Sequence, residues 1–305
     1  MKQIVIISGK GGTGKTVLTA SFAALAKNAV FADCDVDAAD LHLLLKPTVK
    51  ERHEFRSGKT AFIDKDKCVK CGKCIEICRF SAISGISPPA SPAKRGEQSG
   101  GDAIGEGFIV DEVSCEGCAF CSFVCPQGAI KMEENLSGEW FISDTRFGPM
   151  VHAKLGIAQE NSGKLVSLVR KQAKELAEKK KTDWVIVDGA PGIGCPVIAS
   201  LSGIDCAVVV TEPTLSGLHD ADRVIKVASH FMVPVKLVIN KCDLNEKMTE
   251  KIEQYCYDNE IQLIGKLKFD KSVVAAMIEG KTIIEYAQSK IKDSISDIWD
   301  NLKQL

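Results

Sequence analysis

Two sets of residues in this chain have the types and spacing to do chemistry. Gly9, Lys10, Gly11, Gly12, Thr13, Gly14, Lys15 and Thr16 fit the pattern GxxxxGK[ST]. In that pattern backbone N–H groups cradle phosphate oxygens, the lysine brings a point charge to the β and γ phosphates, and the hydroxyl ligates Mg²⁺. The second set is eight cysteines. Cys68, Cys71, Cys74 and Cys78 form CxxCxxCxxxC, and Cys115, Cys118, Cys121 and Cys125 repeat it, with Pro126 after the second run. Thiolates so close together hold metal; zinc accepts CxxC spacing, but four cysteines in one short run favour a compact iron–sulfur cube.

Elements must position these residues. Ile4 to Ile7 is an apolar run that reads as a buried strand, and Thr16 to Lys27 has helical composition, so strand, glycine loop and helix N-terminus converge on an anion. Ala29 to Ala32 reads as a second strand, which ends in Asp33, Asp35, Asp37 and Asp40, carboxylates at the strand end where open α/β sheets bind ligands. Leu165, Leu168, Val169, Ala173, Leu176 and Ala177 keep helical spacing within 164–180. Trp184 to Val187 predicts a strand delivering Asp188, which matches a Walker B carboxylate for Mg²⁺, and Gly189 and Gly192 would let the next loop move with the γ-phosphate. Ala207 to Val210 and Val235 to Ile239 predict two more buried strands. The second leads into Asn240 and Asp243, spaced as NKxD. Asn240 suits the N7 edge of a purine and Asp243 the N1 and N2 hydrogens of guanine, so the chemistry alone leans to GTP.

A second lysine after the first glycine, in GKGGTGKT, closely resembles the deviant Walker A motif of the MinD/ParA family, to which the nitrogenase iron protein also belongs. That resemblance covers almost the whole chain outside residues 60–135. It implies that Lys10 reaches across a dimer interface to the partner's nucleotide. It also implies that Asp35 orients or deprotonates the attacking water, that the nucleotide is ATP with Asn240 on its base, and that Phe269 and Asp270 begin a segment closing over the base. Cys195, seven residues after Asp188, lies where the iron protein carries a cluster ligand. With no cysteine between Cys125 and Cys195 to serve as that cluster's second ligand, a buried apolar role is the default.

The cysteine runs resemble those of bacterial ferredoxins, in which three cysteines of each motif and the fourth of the other hold one [4Fe–4S] cluster. By that rule Cys68, Cys71, Cys74 and Cys125 hold one cluster, and Cys115, Cys118, Cys121 and Cys78 the other. Arg79 stands where a proline is usual after Cys78. Residues 84–107 hold six Gly, three Pro and four Ser, and read as a surface loop.

The expected fold is α/β: a doubly wound, mostly parallel phosphate-loop sheet with an inserted small α+β two-cluster ferredoxin-like domain. Its first part would span 1–59, the insertion 60–135 and its second part 136–305, with the insertion beside the switch region. In the 305 residues, 45% hydrophobic and 26% charged, no apolar run is long enough to span a membrane, and a formal net charge of −1 gives no general attraction to nucleic acid or anionic lipid. Ile291, Ile295, Ile298, Trp299 and Leu302 predict one apolar helix face within 284–302; the mixed charges opposite favour core packing over membrane docking. With the phosphate loop so near the start and no export signal before it, the chain is expected in the cytoplasm.

These readings converge on a cytoplasmic ATPase that uses ATP, Mg²⁺ and two [4Fe–4S] clusters. It would form a nucleotide-dependent homodimer and pass electrons to a redox partner protein, with no nucleic acid or membrane insertion. Two other uses of the same parts are an iron–sulfur carrier or scaffold ATPase and a MinD-like positioning ATPase with structural clusters.

Overall fold

The computed structural model describes residues 1–85, 107–156, 162–286 and 290–304. In chain order the elements are β1 (Lys2–Ser8), α1 (Lys15–Leu25), β2 (Ala29–Asp33), α2 (Leu41–Leu45), β3 (Thr48–Ile63), α3 (Lys73–Ile77), β4 (Ile83–Gly85), β5 (Phe108–Val110), α4 (Phe120–Val124) and β6 (Ile130–Thr145). There follow β7 (Gly148–Leu155), α5 (Ser162–Lys180), β8 (Trp184–Pro191), α6 (Cys195–Leu201), β9 (Cys206–Thr211) and α7 (Leu215–His230). The last are β10 (Val235–Asn240), α8 (Glu246–Asp258), β11 (Gln262–Leu267), α9 (Ser272–Ile278) and α10 (Lys292–Lys303). They fall into two compact units: Met1–Glu54, Glu139–Leu155 and Ser162 onward form the first, and residues 55–138 with Gly156 the second. The chain passes into the second unit along β3 and returns along β6.

Ile4, Val5, Ile6 and Ile7 are wholly buried because β1 lies inside the sheet, where parallel strands covered on both faces read as continuous apolar runs. Strand order is β11-β10-β9-β1-β8-β2-β7-β6-β3, and each pair from β11 to β7 is parallel. Reversal of chain direction comes at β6 and β7, whose hairpin turns through Arg146 and Phe147. Neither these two strands nor β3 was expected from the sequence, because β3 and β6 are mostly polar and half-exposed. Trp299 of α10 packs between Phe22 and Trp184, each ring centroid 5.2 Å away, and Ile295, Ile298 and Leu302 are buried beside it. The terminal helix is therefore core, although it starts only at Lys292. Among the described residues no helix is long and apolar enough to cross a membrane.

The second unit is built from two copies of one short plan. Asp64 and Asp111 each accept from the N–H two residues on, Asp66 and Val113, at 3.1 Å. A positive φ recurs at Lys70 and Gly117, at Gly72 and Ala119, and at Ser81 and Gly128. Helices α3 and α4 follow at matching places. The copies interlock: the Asp64 N–H donates to Ala129 O at 2.8 Å and the Asp111 N–H to Ala82 O at 2.7 Å. Ser84 and Gly85, expected in a loop, instead belong to β4, which pairs antiparallel with β5 and sets Gly85 opposite Phe108; Gly107 precedes β5 and lies in neither strand. The rest of that loop, 86–106, lies outside the described residues.

A phosphate cradle and two cysteine-lined cavities

In the first unit β1 ends at Ser8 and the loop turns back into α1. Gly14, with φ 98°, caps α1 in the left-handed region, and a Cβ there would lie 2.5 Å from Asn240 Nδ2. Gly9 is required for packing, because a Cβ would meet the Asp220 backbone of α7 at 2.4 Å. Gly11 and Gly12 face open space, so this stretch of backbone is accessible to a ligand. Ser8 Oγ donates to Lys10 O at 2.6 Å and the Gly192 N–H to Ser8 O at 2.9 Å, which pin the start of the loop. Asn240 Nδ2 donates to Thr13 O at 2.8 Å while its Oδ1 accepts from the Lys241 N–H at 2.9 Å. The Asn240 amide thus braces the loop from the end of β10.

Lys15 and Asp35 are buried together, Nζ to Oδ2 at 3.6 Å. Thr16 Oγ1 donates to Asp188 Oδ2 at 2.7 Å, and Thr19 Oγ1 lies 3.0 Å from Asp188 Oδ1. Asp33 stands opposite Asp188 on adjacent strands. Burial pushes the Asp188 carboxyl up to about 6, against the pull of Lys15, Thr16 and Thr19. Burial and then Asp188 hold Asp33 well above the usual carboxylate range, and burial raises Asp35 despite Lys15. Asp33 Oδ2 and Thr13 Oγ1 are buried without a hydrogen-bond partner among the described residues. Crowded buried carboxylates beside a free hydroxyl and open glycines suit a bound divalent cation and a phosphate chain.

An open cleft of ≈ 1350 Å³, counted out to its solvent-open mouth, runs from Gly11, Gly12, Lys15 and Thr16 past Asp35 and Asp40. It ends on an apolar wall of Phe269, Val273, Val274, Met277 and Ile291. Asn240 lines the same cleft. Asp243 does not line the cleft; its Oδ1 accepts from the Phe269 N–H at 2.7 Å and so shapes the loop that does. Lys10 is a third exposed: its Nζ donates to Ser216 Oγ at 3.3 Å and lies 3.8 Å from Glu212 Oε2, and Glu212 also holds Lys241. Glu212 was not singled out in the sequence, where nothing marks a lone glutamate in TEPT.

Two expectations are corrected. Gly189 is no hinge: it lies inside β8, where a Cβ would meet Ile7 Cγ2 at 2.4 Å, so its role is close strand packing. Gly192, at φ 91° and open, makes the turn. Cys195 is exposed at the start of α6 rather than buried, because the chain has left the sheet at Pro191.

In the second unit Cys68, Cys71, Cys74 and Cys125 line one cavity, with Pro126 and Ile130 beside them. Cys78, Cys115, Cys118 and Cys121 line another, with Phe80, Phe120 and Met132. Three cysteines of one copy and the fourth of the other therefore share each cavity, as the interlocked copies require. Burial raises the thiols of Cys74 and Cys121, and their neighbouring cysteines raise them further. The Ala129 N–H donates to Cys125 Sγ at 3.3 Å. Among the described residues no three His, Cys, Asp or Glu side chains come close enough together to hold a single metal ion. The cysteines surround a space and do not meet at a point.

A parallel sheet whose first strand feeds a glycine cradle, with a buried threonine–aspartate pair behind it, defines a phosphate-loop nucleotide-binding protein. The chain belongs to the CobQ/CobB/MinD/ParA nucleotide-binding domain family, which matches residues 4–283, and is a MinD/ParA-type ATPase. An uncharacterised protein of Methanocaldococcus jannaschii is 30% identical over 305 residues, 99% of this chain and 96% of that one. The septum site-determining protein MinD of Bacillus subtilis is 29% identical over 164 residues, 52% of this chain and 58% of its own. The pyruvate synthase subunit PorD of Methanothermobacter marburgensis is 34% identical over 96 residues, 29% of this chain and 93% of its own. Among solved structures, MinD of Pyrococcus horikoshii with Mg-ADP aligns over 99% of this chain and 96% of its own, at TM-score 0.58 and 16% identity. MinD of Pyrococcus furiosus aligns over 99% and 98%, at TM-score 0.56 and 18% identity. These two similarities are of fold.

Proposed function

We propose that this ATPase holds two [4Fe–4S] clusters in its second unit, a ferredoxin-like domain inserted at about residues 60–135 between the two parts of the ATPase domain, and couples nucleotide state to electron transfer to a partner protein. One observation carries the reading: two cavities, each lined by four cysteines, three from one motif and one from the other. A single Zn²⁺ draws its thiolates to about 2.3 Å from one centre, whereas a cubane spreads its ligands around four irons. Thiols that ring a space fit the cubane, and the Ala129 N–H supplies one of the sulfur hydrogen bonds that tune such groups. Similarity to the pyruvate synthase subunit PorD over 29% of the chain also supports this reading. When bound, the clusters supply one-electron storage; the chain's part is to ligate them and set their surroundings.

In the first unit, the N–H groups of Gly11, Gly12 and Gly14 would hold the β and γ phosphates of ATP, with Gly9 and Thr13 shaping the loop. Lys15 would leave Asp35 for the phosphates, since both compete for the same ammonium. Thr16 and Asp188 would hold Mg²⁺, and Asp35, once released, would orient or deprotonate the attacking water. Gly192 turns the loop that faces the γ-phosphate. Asn240 would keep its spare N–H for the base, and Phe269 its face. Lys10, now on Glu212 and Ser216, would exchange those partners for the nucleotide of a second protomer in a nucleotide-dependent homodimer. The test is composition. Anaerobically purified protein should contain about eight iron and eight sulfide per chain. Stoichiometric zinc without sulfide would contradict the cluster reading.

A further inference from the structure

The two copies in the second unit share a backbone plan and carry opposite charge. Residues 64–79 hold five cations and three anions, whereas residues 111–126 hold three anions and no cation. The difference reaches the cavities themselves: Lys70 and Lys73 line the one ringed by Cys68, Cys71, Cys74 and Cys125, and Glu116 lines the other. Lys65, Lys67, Lys70 and Lys73 are all exposed, as are Asp111, Glu112 and Glu116 in the opposite copy. Cys71 is exposed between Lys70 and Lys73, so a metal group held there would sit beside the basic rim. The Cys118 end instead presents Phe120, 60% exposed, and Phe123, 89% exposed.

We infer that the basic rim of Lys65, Lys67, Lys70 and Lys73 is the docking surface of an acidic one-electron carrier protein, and that the electron enters at the Cys68–Cys125 site. The inference rests on the cluster reading above and names its port. Two physical points select this end. An added electron makes a cluster more negative, and lysines lining its cavity would stabilise it where Glu116 would oppose it. A patch of one sign also steers a partner of the other sign and sets its orientation, most strongly at low ionic strength. The step balances simply: the reduced carrier loses one electron, the group held by Cys68, Cys71, Cys74 and Cys125 gains it, and no bond or proton is exchanged. Near-zero net charge for the whole chain makes this a local effect, which a non-acidic carrier would not feel.

The probe is an acidic [2Fe–2S] ferredoxin, used with full-length protein purified anaerobically. Its affinity in the oxidised form and its rate of electron delivery in the reduced form are measured at low and high salt. Lys70→Glu with Lys73→Glu should weaken binding and slow delivery by roughly tenfold or more, and should remove most of the salt dependence. Glu112→Lys with Glu116→Lys, the mirror change on the other copy, should alter both by about twofold at most. Reduction by a photogenerated deazaflavin radical, which needs no docking surface, should be alike in all variants. A larger loss in the mirror variant, or equal behaviour of the two double variants in protein with full iron and sulfide, would overturn the port assignment while leaving the clusters in place. Wild type lacking iron and sulfide would instead sink the cluster reading, and the charge-dependent affinity for the oxidised probe would still decide whether the basic rim docks it.

Discussion

The two units solve the problem of holding a reactive site in opposite ways. In the first, most of the site's polar groups satisfy one another: Lys15 on Asp35, Thr16 and Thr19 on Asp188, Asn240 on Thr13, beside a large core of branched and aromatic side chains. In the second, the core is Ala61, Ile63, Cys74, Ile83, Phe108, Cys121 and Ile130, with Cys68, Cys78, Val110, Cys115, Cys125 and Met132 packed against it. Nearly half of that cluster is cysteine. Small units that cannot bury enough apolar surface depend on metal or disulfides, and here the cysteines proposed as ligands are also the core. A preorganised site survives loss of its ligand; a site whose core is the ligand shell does not.

The largest effect expected from this contrast follows iron removal. Chelation, or Cys121→Ser, should abolish amide-exchange protection across residues 55–85 and 107–138 while nucleotide affinity of the first unit changes by less than about threefold. Protection retained across the second unit in iron-free protein would erase the contrast. Next come the two lysines. Lys15→Ala should weaken ATP binding by roughly a hundredfold or more, since among the described residues no other cation is buried beside the loop glycines. Lys10→Ala should leave binding nearly intact and reduce hydrolysis and ATP-dependent dimerisation, because its contacts are to Glu212 and Ser216 outside the phosphate cleft. Equal turnover of wild type and the Lys10 variant would return Lys10 to an ordinary surface role.

The smallest effect is a pH dependence confined to the first unit. Burial lowers His152 from 6.5 to about 4, with its ring against Phe141 and 2.9 Å from Ser143 Oγ. The folded state therefore resists a proton that the unfolded chain accepts. The contribution of neutral His152 is complete above pH 6.5 and is lost as pH falls toward about 4. In His152→Gln, thermal unfolding of the first unit should lose part of its decline over that window; an unchanged decline would place its cause elsewhere.

How much was legible in the sequence also differs between the units. Glycine spacing and the apolar run before it announce the phosphate loop because backbone geometry and burial both act locally. Lys15, Thr16 and Asp188 follow from that pattern, and the structure brings all three together. The eight cysteines were equally plain, and their division between two cavities follows from the ferredoxin rule. What the sequence hid depends on tertiary contact. Gly189 looks like any hinge glycine until Ile7 is seen 2.4 Å from its absent Cβ. Glu212 joins Lys10 to Lys241 only after β9 and β10 pair. The long strands β3 and β6 escaped because their residues alternate too weakly to declare a buried face.

Any linkage between nucleotide state and cluster reduction is reciprocal: whatever factor ATP imposes on the reduction equilibrium, reduction must impose on ATP affinity. Couplings of this kind are typically about 1–3 kcal/mol, which for a one-electron couple is a shift on the order of 40–130 mV. The direct measurement is an anaerobic redox titration of the clusters with ADP and then with a non-hydrolysable ATP analogue, in wild type and in Asp35→Asn. Potentials that move between the two nucleotides by that order are the predicted result. Identical potentials, together with identical rates to a generic electron acceptor, would contradict the account and leave an ATPase and a ferredoxin merely joined in one chain.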